Sequence, residues 1–264
     1  MSVSHAAAVP RTTAGPAKLS LLGGFSLQIE GEPVALPLHA RRVMAYLSLD
    51  KLRAHDCDRR VLAERLWADA SSDRCRGSLR TALWRIRSAD SRLVRVSIDR
   101  VWLADEVEVD VHRLRRQAQR TLAEDSGELE LPQLLVRAEE LLPGWDEDWL
   151  LLAREQLRQM RLHAAEVTAR RLRERGRYTE AIDVMLAVVA EEPLRESAQG
   201  ALIDAHLAEG NVFEARRQLV AFTRQLWAEL GLRPSSELFR KVGVPCPPLE
   251  QPVERRRAGY LPTT

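Results

Sequence analysis

Gly176 and Gly210 stand 34 residues apart, and the residues after each glycine repeat in the same register. Glu180-Ala181 matches Glu214-Ala215, Met185 matches Leu219, and Val188 matches Phe222. A period of about 20 to 50 residues marks a supersecondary unit that buries its apolar face only by stacking on copies of itself. Two helices and a turn fit such a period, with glycine at the turn and alanine where the helices approach closely. Pro193 falls where a unit ends, and Arg177-Tyr178-Thr179-Glu180-Ala181 supplies a turn and a helix start. The spacing is the tetratricopeptide one, and it predicts an all-α second half. Stability of such a stack takes about three units, so three helical pairs are expected. The first is degenerate, with Pro132 to Leu142 as its second helix before Pro143-Gly144-Trp145-Asp146-Glu147-Asp148-Trp149 breaks the register.

The first half reads differently. Leu19 and Leu21, then Phe25, Leu27 and Ile29, alternate as strands around Gly23-Gly24, and Glu30-Gly31 turns the chain before Val34 to Leu36. The period then becomes helical. Ala40, Val43, Met44, Leu47 and Leu49 suit one helix; Asp58 is a candidate N-cap for a second carrying Val61, Leu62, Leu66 and Trp67; a third runs from about Arg74 to Ala89. Leu93 to Ile98 and Val101 to Ala104 come next as a hairpin turning at Asp99-Arg100, and Asp105, Glu106, Glu108 and Asp110 form an acidic separator. Strands, three helices and a hairpin give a winged helix with an added N-terminal sheet. The fold class expected is therefore multidomain: an α+β winged helix-turn-helix, then an all-α helical domain.

The third helix carries the most informative pattern. At 100° per residue, Leu79, Ala82, Leu83 and Ile86 fall within one arc. Opposite lie Gly77, Arg80, Thr81, Trp84, Arg85 and Ser88, with Arg76 and Arg87 on the flanks. Such a face suits a major groove, because arginine forks match guanine O6 and N7 while methyl and aromatic groups meet thymine methyls. Arg80, Thr81, Trp84 and Arg85 are the candidate base contacts. Arg76, Arg87, Arg95, Arg100 and Arg59 are the candidate phosphate contacts, with Arg60 beside them. The bland alternative is a solvated helix in a protein that has 37 arginines and three lysines, a bias that codon usage explains. Charge favours the groove locally: residues 76 to 100 hold seven arginines against Asp90 and Asp99, a net of +5, while the chain as a whole is +2.

Other chemistry finds little support. Cys57, Cys75 and Cys246 offer neither a disulfide framework nor zinc spacing, and the six histidines show no ligand pattern. No phosphate-cradling loop or nucleophile elbow occurs, so no enzyme, metal or cofactor is expected. The first residues lack the apolar run of a secretory signal, and no stretch approaches a membrane span, which predicts a cytoplasmic protein. The acidic-aromatic run Trp145 to Trp149 reads either as a partner motif or, better, as a loop capping a helix with its rings in the core.

These residues resemble a family. Leu21-Leu22-Gly23-Gly24-Phe25-Ser26-Leu27, Leu62-Ala63-Glu64-Arg65-Leu66-Trp67, the run Leu79 to Arg87, and Asp110 leading into a helical region look like the Streptomyces antibiotic regulatory protein (SARP) family. Pro143-Gly144-Trp145, Trp149, Arg175 to Ala181, Glu192-Pro193-Leu194-Arg195-Glu196 and Glu229-Leu230-Gly231-Leu232-Arg233-Pro234 are similar to that family's bacterial transcriptional activator domain. The resemblance covers residues 18–243. It implies an OmpR-type winged helix that binds direct repeats in double-stranded promoter DNA, and a tetratricopeptide-like domain that assists homodimerisation on DNA. It also implies recruitment of RNA polymerase through its sigma subunit, at secondary-metabolite gene clusters.

The turn Ser97-Ile98-Asp99-Arg100-Val101-Trp102 departs from the family pattern in having no glycine, which puts its wing contacts in question. The nucleotide-binding module of larger members does not follow, so control by ATP is not implied. Expected boundaries are a disordered leader at 1–17, the winged helix at 18–110, the helical domain at 111–243 and a disordered tail at 244–264. The rival reading is a peptide-binding adaptor whose first domain is only a scaffold and binds no specific DNA.

Overall fold

The computed structural model describes residues 17–50, 56–123 and 139–245. Of the expected leader and tail, residues 1–16 and 246–264 lie outside these. Ala17 already belongs to a strand, and the Val244 amide donates to the Phe239 carbonyl at 3.1 Å. Contacts divide the chain into two compact units at Val167 and Thr168.

In the first unit β1 (Ala17–Ser20), β2 (Ser26–Ile29) and β3 (Glu32–Pro33) pair antiparallel, as the alternation predicts. Three helices follow: α1 (Leu38–Asp50), α2 (Arg59–Leu66) and α3 (Ser72–Ala89), with β4 (Cys57–Asp58) ahead of α2. Strands β5 (Val94–Val96) and β6 (Arg100–Leu103) form the hairpin, and β4 pairs with β6 to complete a second sheet in the order β4-β6-β5. One large core serves these strands and helices. Leu19, Leu21, Met44, Leu47, Leu62, Leu66, Ile86, Leu93 and Leu103 are all fully buried in it.

The acidic separator is not one. Val107–Val109 forms β7, which pairs in parallel with β1 at the edge of the first sheet, Val107 and Val109 facing the core with Glu108 outward. Immediately after it, the Asp110 carboxylate accepts the amides of Leu21 and Leu22 at 2.9 and 3.0 Å, fastening the start of α4 (Asp110–Ala123) to the end of β1. Of the expected helix at Pro132–Leu142, residues 132–138 lie outside the described part, and 139–142 are not helical, since Leu141 bridges to Leu22. The next loop faces inward. Trp145 stacks on Phe25 at 6.2 Å, Trp149 meets Tyr46 edge-on at 5.3 Å, and Arg154 donates to the carbonyls of Leu141, Leu142 and Trp145. The acidic-aromatic run is thus a capping loop at the start of α5 (Asp148–Glu174), inside which the division between units falls.

The second unit holds the end of α5, then α6 (Tyr178–Glu191), α7 (Glu196–Ala208), α8 (Val212–Leu230) and α9 (Ser236–Lys241). Its 34-residue register is a register of burial and of turns. Ala181, Ala215, Met185, Leu219, Val188 and Phe222 are all buried. Gly176 and Gly210 adopt φ of +74° and +89°, and the next amides, Arg177 and Asn211, reach back five residues to the carbonyls of Leu172 and His206. Glycine tolerates that left-handed turn without a Cβ penalty, and the bonds satisfy carbonyls the helix end would leave open. Phe222 is buried in one cluster with Ile203, Leu219, Leu226, Leu238 and Phe239; truncating it to Ala would cost about 3–5 kcal/mol.

Candidate nucleic-acid interface

Cys75, Leu79, Ala82, Leu83 and Ile86 fix the rotation of α3 by burying one side, and this leaves Arg80, Thr81, Trp84, Arg85 and Ser88 exposed on the other. Trp84 is 58% exposed, which a large aromatic seldom is without cover. The cover comes from its neighbour: the Arg85 guanidinium lies 4.8 Å over the indole ring. Such a stack orients the planar fork of Arg85 while leaving its N–H donors at the edge available. The Thr81 hydroxyl donates to the Gly77 carbonyl at 3.1 Å, so its methyl is the group left to meet a partner. Beside it, a Cβ built on Gly77 meets nothing within 4 Å, so a shallow slot opens between the arginines.

The described arginines between residues 17 and 109 sort into two groups. The side chains of Arg60, Arg74, Arg80, Arg85 and Arg87 make no hydrogen bond or ion pair among the described residues, and all but Arg60 are on α3. The others are engaged. Arg76 pairs with Asp73 at 2.8 Å, Arg95 with Glu106 at 2.8 Å and Arg100 with Asp56 at 2.9 Å, all at exposed positions. Exposed pairs of this kind contribute only about 0–1 kcal/mol, so a phosphate can displace the acid at little cost.

Arg59 does structural service. Its backbone amide donates to Asp99 and its guanidinium reaches the carbonyls of Ser97 and Ile98 at 3.3 and 3.4 Å, clamping the hairpin tip to the start of α2. The α2 start is itself capped as expected, with the Asp58 carboxylate accepting the amides of Arg60 and Val61; those two bonds hold its pKa below the usual carboxylate range. Glu106 is held low as well, by its own backbone amide and by Arg95, and Asp90 by Arg92.

One exposed residue escaped the sequence reading. Ile98, at the hairpin tip, is 97% exposed, and its signal in the sequence is a branched apolar residue in a turn that has no glycine. Of the cysteines, Cys57 and Cys75 are buried and free, burial pushes the Cys57 thiol up to about 11, and Cys246 lies outside the described residues. Among the described residues no cluster of histidine, cysteine or carboxylates is arranged to hold a metal ion, and no helix is long and apolar enough to cross a membrane.

With this geometry in place, comparison with known proteins is informative. Residues 109–242, half of the chain, match the model of the bacterial transcriptional activator domain. The chain belongs to that family. A solved structure, Mycobacterium tuberculosis EmbR in complex with a low-affinity phosphopeptide, is similar with a TM-score of 0.69 and 18% identity. The match covers 86% of this chain and 64% of that one, so this chain spans just under two thirds of that protein's length. At that identity the likeness speaks for the fold, a winged helix followed by a helical domain, which is the class expected from the sequence. No curated protein sequence matches. A bacterial transcriptional activator domain behind a winged helix is the SARP-type activator architecture, and it points to a transcription regulator rather than an enzyme.

Proposed function

We propose that the protein is a sequence-specific DNA-binding transcriptional activator whose α3 enters the major groove. The observation that carries this reading is the concentration of unpaired arginines on α3 while their neighbours in the winged helix are engaged. In this reading Arg80 and Arg85 read bases, while Thr81 and Trp84 supply methyl and shape contacts. Arg76, Arg87, Arg95 and Arg100 hold phosphates, and Arg59 positions the wing as well as approaching the backbone. The Ile98 tip adds an apolar contact to the minor groove in place of a basic one. In keeping with the family resemblance, two copies occupy direct repeats at a promoter and recruit RNA polymerase through its sigma subunit, at a secondary-metabolite gene cluster.

Genomic footprinting supplies the site, and fluorescence anisotropy on that site and on random DNA supplies the test. Arg80→Ala should weaken the specific complex by about 1–3 kcal/mol and relax preference at one base pair, with random DNA affected far less. Equal losses on both DNAs would remove the base-reading role. An adaptor without specific DNA binding predicts instead no salt-dependent DNA complex at all.

A further inference from the structure

Helix α8 carries two apolar faces, and the second has no partner among the described residues. Ala215, Leu219, Phe222 and Leu226 are buried against α9 and Ile203. Turned about 130° away, at 100° per residue, Phe213, Val220 and Trp227 succeed one another at seven-residue spacing and are 71%, 48% and 44% exposed. Single exposed apolar residues are ordinary, but a row of three along one helix is an unfilled contact surface.

Its charges are one-sided. Arg216 and Arg224 have no partner among the described residues, and Arg217 makes only an exposed contact with Glu214 at 3.1 Å. At the C-terminal end the Arg233 guanidinium lies 5.6 Å over the Trp227 ring. Neither acid near the row is free: Glu214 is taken by Arg217, and Glu229 accepts the Gln225 amide.

We propose that this face of α8 docks an acidic amphipathic helix of a partner protein. Its apolar side chains lie against Phe213, Val220 and Trp227, and its carboxylates meet Arg216, Arg217 and Arg224. A second copy of this chain is a poor occupant. Two-fold pairing matches a surface with itself, so helices crossing near Val220 would set Arg217 against Arg224 of the other copy. An acidic partner turns the same charges into attraction. The proposal does not depend on DNA binding.

The test uses the full chain and two labelled synthetic helices, one with Leu at the a and d heptad positions and Glu elsewhere, the other with Lys replacing every Glu. Anisotropy should show the Glu helix binding and the Lys helix not binding. Phe213→Ala and Trp227→Ala should each weaken the Glu helix about tenfold. The triple change Arg216→Glu, Arg217→Glu and Arg224→Glu should lose the Glu helix and gain the Lys helix, while Arg80→Ala leaves both titrations unchanged. If Trp227→Ala melts early by circular dichroism, Val220→Ser, at a position outside the buried cluster of α8, carries the same expectation. The proposal falls if the Glu helix does not bind, or if it binds with Phe213, Val220 and Trp227 irrelevant. It falls equally if sedimentation shows a wild-type dimer that Phe213→Ala dissolves.

Discussion

Helix α3 turns Gly77, Thr81, Trp84 and Ser88 outward, α8 turns Phe213, Val220, Arg224 and Trp227 outward, and both carry arginines beside an exposed tryptophan. In α3 the residues between the arginines are small, and the one aromatic lies beneath the Arg85 fork, so the surface is low in relief and rimmed with donors. In α8 the residues between the arginines are large and apolar. A rod of phosphates and base edges needs close approach and free forks; an amphipathic helix needs apolar surface to desolvate. Helix α3 carries five arginines and α8 three, and it is what lies between them that decides the partner chemistry.

The largest expected effect breaks the comparison outright if it fails. Arg80→Ala and Arg85→Ala should each cost about 1–3 kcal/mol on the specific DNA site, whereas charge reversal at Arg216, Arg217 and Arg224 should leave that affinity unchanged. Loss of specific binding from the α8 changes would mean the two faces serve one ligand.

A smaller effect sharpens it, because one substitution should move two properties in opposite directions. Gly77 sits within α3 at ordinary helical φ with open space where a Cβ would go. Gly77→Ala should stabilise the protein by about 0.5–1 kcal/mol, through the backbone entropy glycine loses in a helix. The same methyl fills the slot a duplex would enter, so DNA affinity should fall. Thermal melting and anisotropy on one preparation read both signs. A variant that gains stability and binds DNA as before would show that the slot is not occupied.

The ion pair between Arg100 and Asp56 tests the phosphate rim. Both side chains are about half exposed, so breaking the pair should hardly change stability. Arg100→Ala should weaken all DNA sequences alike and reduce the salt slope by about 1. Asp56→Asn should raise affinity for all of them, by releasing the fork.

How much of this was legible in the sequence varies with distance along the chain. The buried arc of α3, the Asp58 cap and the glycine-led register are local patterns with a helical period, and the fold preserves them. Strand β7 is hidden in the sequence because Val107-Glu108-Val109 is three residues long, and its partner residues in β1 lie 90 positions earlier. The same holds for Asp110, which reads as one more acid in a run until Leu21 and Leu22 are placed beside it. The candidate phosphate contacts are visible in the sequence only as arginines, and sequence separates Arg100 from Asp56 by 44 residues and Arg59 from Ile98 by 39. Which arginines are spent inside the protein is therefore a property of the fold alone.

The smallest effect concerns how the two regions begin. The wing is clamped to α2, whose cap is the charged Asp58; α8 is capped by neutral Asn211, whose side-chain oxygen accepts the Glu214 amide at 3.4 Å. The folded pKa of Asp58 lies below its unfolded value because two backbone amides favour the carboxylate. Its contribution is thus fully present above the ordinary carboxylate range, near pH 4, and is lost as pH falls through the lower folded pKa. Amide exchange at Arg60 and Val61 should accordingly accelerate relative to Glu214 as the solution is acidified through that window. Asp58→Asn keeps an oxygen acceptor at the cap and removes the titrating group, so it should flatten the difference. If Asp58→Asn leaves the acid-dependent opening of α2 intact, Asp58 is not the source of the pH sensitivity, and the contrast between a charged and a neutral cap does not govern the wing.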